Sequence, residues 1–145
     1  MFAEESVIGY KSSIEKIREE SWIKNRHPHV GGFELTPYCN LRCVHCYLQD
    51  QEKNTLLSTE EVKGIIDKLF DEGVLFLYFT GGEIFTRPDF LDIYIYAKKK
   101  GFIVELLTNG TLIDSEAIEV FYLYPPASIS ISMYGKDEES YYRVT

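Results

Sequence analysis

All three cysteines of the chain stand in one eight-residue stretch, Cys39-Asn40-Leu41-Arg42-Cys43-Val44-His45-Cys46, with Tyr47 next. The spacing is C-x3-C-x2-C. Closed tetrahedral zinc sites and ordinary four-iron clusters take four protein ligands, and the chain has no fourth cysteine. Iron–sulfur clusters prefer thiolates. Three of them would hold three irons of a [4Fe–4S] cube and leave the fourth iron open, where a small molecule carrying an amine and a carboxylate could chelate it. The competing reading is structural zinc with His45 as fourth ligand, in which adjacent His45 and Cys46 would make a strained pair around one ion.

A second group suits the same small molecule. In Gly81-Gly82-Glu83, two glycines would let backbone approach a ligand closely, and Glu83 could accept a hydrogen bond from an ammonium group. Ser130 or Ser132 could touch another part of it. Taken singly, each has a plainer reading: a turn for Gly81-Gly82, a turn for Asn109-Gly110, one face of a strand for the serines.

These groups need a frame, and hydrophobic periodicity supplies one. A short strand is expected over residues 32–36, ending at Pro37. Residues 56–73 read as a helix. It has a capping box at Ser58 and Glu61, apolar Val62, Ile65, Ile66, Leu69 and Phe70, and Gly73 at its end. The apolar run 74–79 has the length of a strand buried on both faces. A second helix is expected over 89–100, with Phe90, Leu91, Ile93, Tyr94 and Ala97 inward. Lys98, Lys99 and Lys100 read as its solvated, dipole-favoured C-terminus, and Gly101 ends it. A strand over 102–107, a helix from about 115 to 122 capped by Asp114, and a strand over 127–133 complete the pattern. Strands alternating with helices mean α/β architecture with a parallel sheet. The polar motifs each follow a strand, so they should meet at the sheet's C-terminal rim.

Composition bounds the rest. The 145 residues are 45% hydrophobic and 26% charged, enough for about one domain with a core. A net charge of −8 argues against a nucleic-acid partner. The start of the chain lacks the pattern of a signal peptide, and no apolar run reaches membrane-spanning length. A cytoplasmic location follows, where clustered cysteines bind metal or do redox work. Residues 1–30 are too short for a core of their own and read as a helical arm, with a capping box at Ser12 and Glu15; residues 31–145 form the α/β core.

The motifs in this register resemble the radical S-adenosylmethionine (radical SAM) superfamily. The resemblance is carried by Thr36-Pro37-Tyr38-Cys39-Asn40-Leu41-Arg42-Cys43, His45-Cys46-Tyr47, Thr80-Gly81-Gly82-Glu83, Arg87-Pro88-Asp89-Phe90 and Thr108-Asn109-Gly110-Thr111. It covers roughly residues 32–145 and is similar in text to the peptide-modifying and haem-pathway branches. It implies a partial (β/α)6 barrel and an oxidoreductase chemistry. Cys39, Cys43 and Cys46 would ligate a [4Fe–4S] cluster. S-adenosylmethionine would bind its open iron, with Gly81, Gly82 and Glu83 at the amino group. His45 and Tyr47 would border the adenine and Ser132 the ribose or carboxylate, with a smaller cofactor-side role for Asn109 and Ser130. Reduction of the cluster, by a partner such as ferredoxin or flavodoxin, would cleave the cofactor to methionine and a 5′-deoxyadenosyl radical that takes hydrogen from a substrate, a peptide being one candidate.

Two departures stand out. Ile84 occupies a place where the family often has proline. Six barrel units should also need roughly 190 residues, by scaling from about 250 for eight, whereas the text supports about four units. The expectation is therefore an N-terminal fragment or truncated product, with an open edge at the fourth strand that invites self-association. A non-catalytic cluster- or cofactor-binding module stands as the alternative, and a zinc module behind it.

Overall fold

A computed structural model of the chain describes residues 28–48 and 56–145. Four parallel strands form one sheet in chain order: β1 Val30–Glu34, β2 Phe76–Thr80, β3 Ile103–Thr108 and β4 Ser128–Ile131. Helices α1 Thr59–Asp71, α2 Phe90–Lys100 and α3 Ser115–Leu123 make the three crossovers, and a short α4, Glu138–Tyr142, follows β4. Strand order equal to chain order, with a helix in every crossover, is the opening arc of a (β/α) barrel, as expected. The register pairs Glu34 with Thr80 and Thr108 with Ile131, so the strands end at one rim. The expected arm falls outside the described residues except at its end, where Val30 already belongs to β1.

Local chemistry explains the element ends. Ser58 caps α1 with both reciprocal bonds of the box: the Glu61 N–H donates to Ser58 Oγ (3.3 Å) and the Ser58 N–H to Glu61 Oε2 (2.8 Å). Gly73 follows the helix at φ 88° and Gly101 ends α2 at φ 98°, left-handed values that cost a side chain energy. Asp114 caps α3 through the Ala117 N–H (2.9 Å). A 3-10 turn at Ile84–Thr86, not anticipated, sits where proline was absent.

The core lies between the sheet and its helices. Leu77 and Phe79 of β2 and Val104 and Leu106 of β3 pack with Val62 and Ile66 of α1 and Ile93, Tyr94 and Ala97 of α2. Two expectations fail here. β2 is not buried on both faces: Leu77 and Phe79 are fully buried, but Phe76 and Tyr78 are each 37% exposed, because the core gathers on one side of the sheet while they alternate to the other. Nor is the lysine run wholly solvated. Lys98 is buried, since it follows Tyr94 by one helical turn on the inward face; Lys99 is exposed and Lys100 pairs with Asp67 at 2.7 Å. All four residues of β4 are exposed, at the end of the sheet. Among the described residues no helix is long and apolar enough to cross a membrane.

Candidate functional site

The segment leaving β1 sets the site. Leu35 continues the ladder by donating its N–H to the Thr80 carbonyl (2.9 Å). Arg87, itself buried, then holds the exit: Nη1 donates to the Leu35 carbonyl (3.0 Å) and Nη2 to that of Leu57 (3.1 Å), while Nε and Nη2 grip Asp89 at 3.0 and 2.6 Å. The bidentate pair holds the Asp89 carboxyl down at about 2, with a further bond from Thr59.

Next, the Gly81-Gly82 turn is pressed against this exit. The Gly82 N–H donates to the Thr36 carbonyl (2.7 Å) and the Glu83 N–H to the Tyr38 carbonyl (2.8 Å). A Cβ on Gly81 would collide with the Thr36 carbonyl oxygen, and Gly81 has φ 136°. On Gly82 it would stand 2.5 Å from the Tyr38 carbonyl carbon. The double glycine is thus required by the protein's own backbone, a reason the sequence reading did not supply.

Glu83 lies behind this turn, 1% exposed. Its carboxylate accepts three bonds: from Thr108 Oγ1 (2.7 Å), from the Asn109 N–H (2.6 Å) and from the Phe85 N–H (3.2 Å). It ties the end of β2 to the end of β3. A carboxylate has about four lone-pair positions, so most of its accepting capacity is engaged internally.

A cavity of about 220 Å³ opens at this rim. Cys39, Cys43 and Cys46 line it together with His45, Tyr47, Gly81, Gly82, Asn109 and Ser132. Glu83 and Ser130 do not; Ser130 stays within β4, exposed. The volume is below the roughly 300 Å³ at which pockets begin to enclose a drug-sized ligand. All three cysteines are free thiols. Burial pushes the Cys43 thiol up, and charge on Cys39 and then Cys46 adds to this, as expected of neighbouring thiols that repel once ionised. Among the described residues no group of three or more His, Cys, Asp or Glu is gathered as a metal-binding set. The donor set nonetheless suits a cluster bound by three thiolates: three soft ligands share the cavity with glycine backbone and polar side chains.

The cysteine loop is also held from behind. The N–H groups of Arg42 and Val44 donate to the carbonyls of Thr145 (3.1 Å) and Val144 (2.8 Å). The His45 ring stands edge-on to Tyr134, centroids 4.4 Å apart. The Tyr47 hydroxyl donates to Glu34 Oε1 (2.9 Å), and that bond, with some burial, keeps it protonated to higher pH than an ordinary tyrosine. Tyr134, Asn40 and Thr111 were not singled out as site residues in the sequence. Tyr134 could have been found by its place just past the fourth strand, two residues beyond Ser132.

Comparison with known proteins agrees with this frame. The model of the radical SAM superfamily matches residues 33–145. The antilisterial bacteriocin subtilosin biosynthesis protein AlbA of Bacillus subtilis (strain 168) is 47% identical over 118 residues, which cover 81% of this chain and 26% of AlbA. Fe-coproporphyrin III synthase of Methanosarcina barkeri (strain Fusaro / DSM 804) is 46% identical over 95 residues, 64% of this chain and 24% of the synthase. The chain therefore spans about a quarter of these relatives. Among solved structures, Streptococcus suis SuiB bound to S-adenosylmethionine superposes with TM-score 0.74 at 20% identity, over 90% of this chain and 32% of SuiB. SuiB has also been solved with its precursor peptide SuiA, and superposes in that form with TM-score 0.73.

Proposed function

The chain belongs to the radical SAM superfamily, and from that premise we propose that it carries the cluster-binding half of a radical SAM active site, with Cys39, Cys43 and Cys46 as ligands of a [4Fe–4S] cluster and S-adenosylmethionine as the molecule on the open iron. The observation that carries the reading is the shared cavity: its lining brings together all three thiols, the Gly81-Gly82 turn, Asn109 and Ser132. When bound and reduced by a ferredoxin- or flavodoxin-like partner, the cluster would supply the electron that splits the cofactor into methionine and a 5′-deoxyadenosyl radical, for hydrogen abstraction from a substrate.

The chain's own residues would do the positioning. Gly81 and Gly82 bring main chain to the cavity wall, where it can meet the cofactor's amino group. Glu83 stiffens that wall from behind through its bonds to Thr108 and Asn109. His45, braced by Tyr134, and Tyr47, braced by Glu34, offer flat apolar surface for the adenine. Ser132 offers a hydroxyl at the end of β4 for the ribose or carboxylate.

A peptide is the substrate class we favour, because AlbA is a bacteriocin biosynthesis protein and SuiB is solved with a precursor peptide. The small cavity and exposed β4 favour one second reading, a module that binds cluster and cofactor without turnover. Anaerobic reconstitution with iron and sulfide, reduction, and addition of S-adenosylmethionine separate the two. Formation of 5′-deoxyadenosine supports the enzyme. A cluster spectrum that shifts with cofactor but gives no product supports the module. Absence of any cluster, or full cluster content in Cys43→Ala, refutes both.

A further inference from the structure

The Asn109 side chain is aimed at a cysteine sulfur, and the direction of its amide is determined by its neighbours. The Thr111 backbone N–H lies 2.9 Å from Asn109 Oδ1. A backbone N–H can only donate, so the atom it meets must be the amide oxygen. The Asn109 NH2 group therefore points the other way, toward Asn40 Oδ1 (2.9 Å) and Cys39 Sγ (3.7 Å). Asn40 in turn donates from its own NH2 to Thr111 Oγ1 (2.8 Å), and Thr111 Oγ1 donates to Asn109 Oδ1 (2.7 Å). The three side chains close a ring, Asn109 donating to Asn40, Asn40 to Thr111 and Thr111 to Asn109. Glu83 holds the Asn109 backbone N–H from below (2.6 Å). The Leu41 N–H adds a second donor to Cys39 Sγ at 3.4 Å.

A preorganised N–H donor at a sulfur stabilises the form in which that sulfur carries more negative charge. Hydrogen bonds to ligand sulfurs are among the recognised levers on iron–sulfur reduction potentials. We propose that Asn109 is a positioning residue acting through Cys39: locked by Thr111, Asn40 and Glu83, it donates to the Cys39 sulfur and raises the reduction potential of the cluster bound there. This rests on the reading that the three thiols hold a cluster. It gives Asn109 a task different from the cofactor contact expected of it.

The test is a redox titration of the reconstituted chain, followed by electron paramagnetic resonance of the reduced cluster, for the parent, Asn109→Asp and Asn109→Ala. Asn109→Asp keeps the oxygen that Thr111 needs but turns an acceptor toward Cys39. At a potential fixed at the parent midpoint, its reduced-to-oxidised ratio should fall about tenfold, the equivalent of 59 mV for a one-electron couple. Asn109→Ala, which removes the donor together with the Oδ1 that Thr111 holds but adds no acceptor, should fall less, in the same direction. Parent and variants that load equally and titrate together would overturn this inference while leaving the cluster reading standing. A parent that assembles no cluster would bring down both. Should the variants lose the cluster, the metal-free parent decides: the Asn109 side-chain amide resonances must move on Cys39→Ala, and resonances indifferent to that change overturn the proposal.

Discussion

Replacing Gly82 with alanine places a methyl group 2.5 Å from the Tyr38 carbonyl carbon and 3.0 Å from the Pro37 carbonyl oxygen. Comfortable carbon–carbon separation begins at about 3.5 Å, so the loop must retreat by about 1 Å. Both neighbours are main chain and cannot swing aside. Retreat stretches the bonds from Gly82 N–H to Thr36 and from Glu83 N–H to Tyr38, now 2.7 and 2.8 Å. Each is worth about 1 kcal/mol net, and overpacking adds about 1–3 kcal/mol. The lower entropy of the unfolded alanine chain returns about 0.4–1 kcal/mol. The expected net loss is about 2–5 kcal/mol. Gly64 is the internal control: it lies inside α1, and a Cβ there meets nothing within 4 Å. Gly64→Ala should therefore gain about 0.5–1 kcal/mol from helix propensity alone. Urea unfolding followed by far-ultraviolet circular dichroism reads both. A Gly82→Ala chain as stable as the parent, beside a stabilised Gly64→Ala, would refute the claim that the turn is seated on the exit of β1.

Three further outcomes follow from polar groups bonded within the fold. Glu83→Gln keeps the volume but leaves an amide NH2 facing either the Asn109 N–H or the donors Thr108 and Phe85, and should cost about 2–3 kcal/mol; an unchanged urea midpoint would show that the carboxylate does not tie β2 to β3. Asp89, held at about 2 in the fold against about 3.9 in the unfolded chain, contributes stability that is fully present above pH ~4 and lost as pH falls toward 2. Asn at this position should remove that pH dependence, about 1–2 kcal/mol after allowance for solvent screening, from urea unfolding measured between pH 2 and 5. Tyr94→Phe removes the hydroxyl that donates to the Tyr124 carbonyl and should cost about 1 kcal/mol, read from the same unfolding assay; a chain that lost nothing would mean water replaces the bond.

The elements were legible where a local rule acts alone. The Ser58 and Glu61 box, the Asp114 cap and the glycines that end two helices depend on residues within one turn, and they appear where the text puts them. Strand ends moved by one or two residues, because pairing with a neighbour decides where a strand stops. Burial of Lys98 and exposure of Phe76 and Tyr78 were not legible. Both depend on which side of the sheet carries the core. The text marks an apolar run but not whether a second layer covers it.

For the site, residue types were legible and their partners were not. Three motifs were read as separate contributors to one ligand, each facing it directly. In the fold they are coupled to one another: Glu83 holds the Asn109 backbone across 26 residues of sequence, and the Asn109 side chain reaches Cys39 across 70. Gly82, next to Glu83, is bonded to the strand exit that leads into Cys39. A disturbance at Glu83 therefore has two routes to the Cys39 sulfur, one through Asn109 and one through the backbone of Thr36 to Tyr38. Glu83→Gln and Asn109→Asp then act on parts of one network, and their effects should not add. If the double variant alters cluster potential by the sum of the two single effects, the routes are independent and the network is only a set of neighbours.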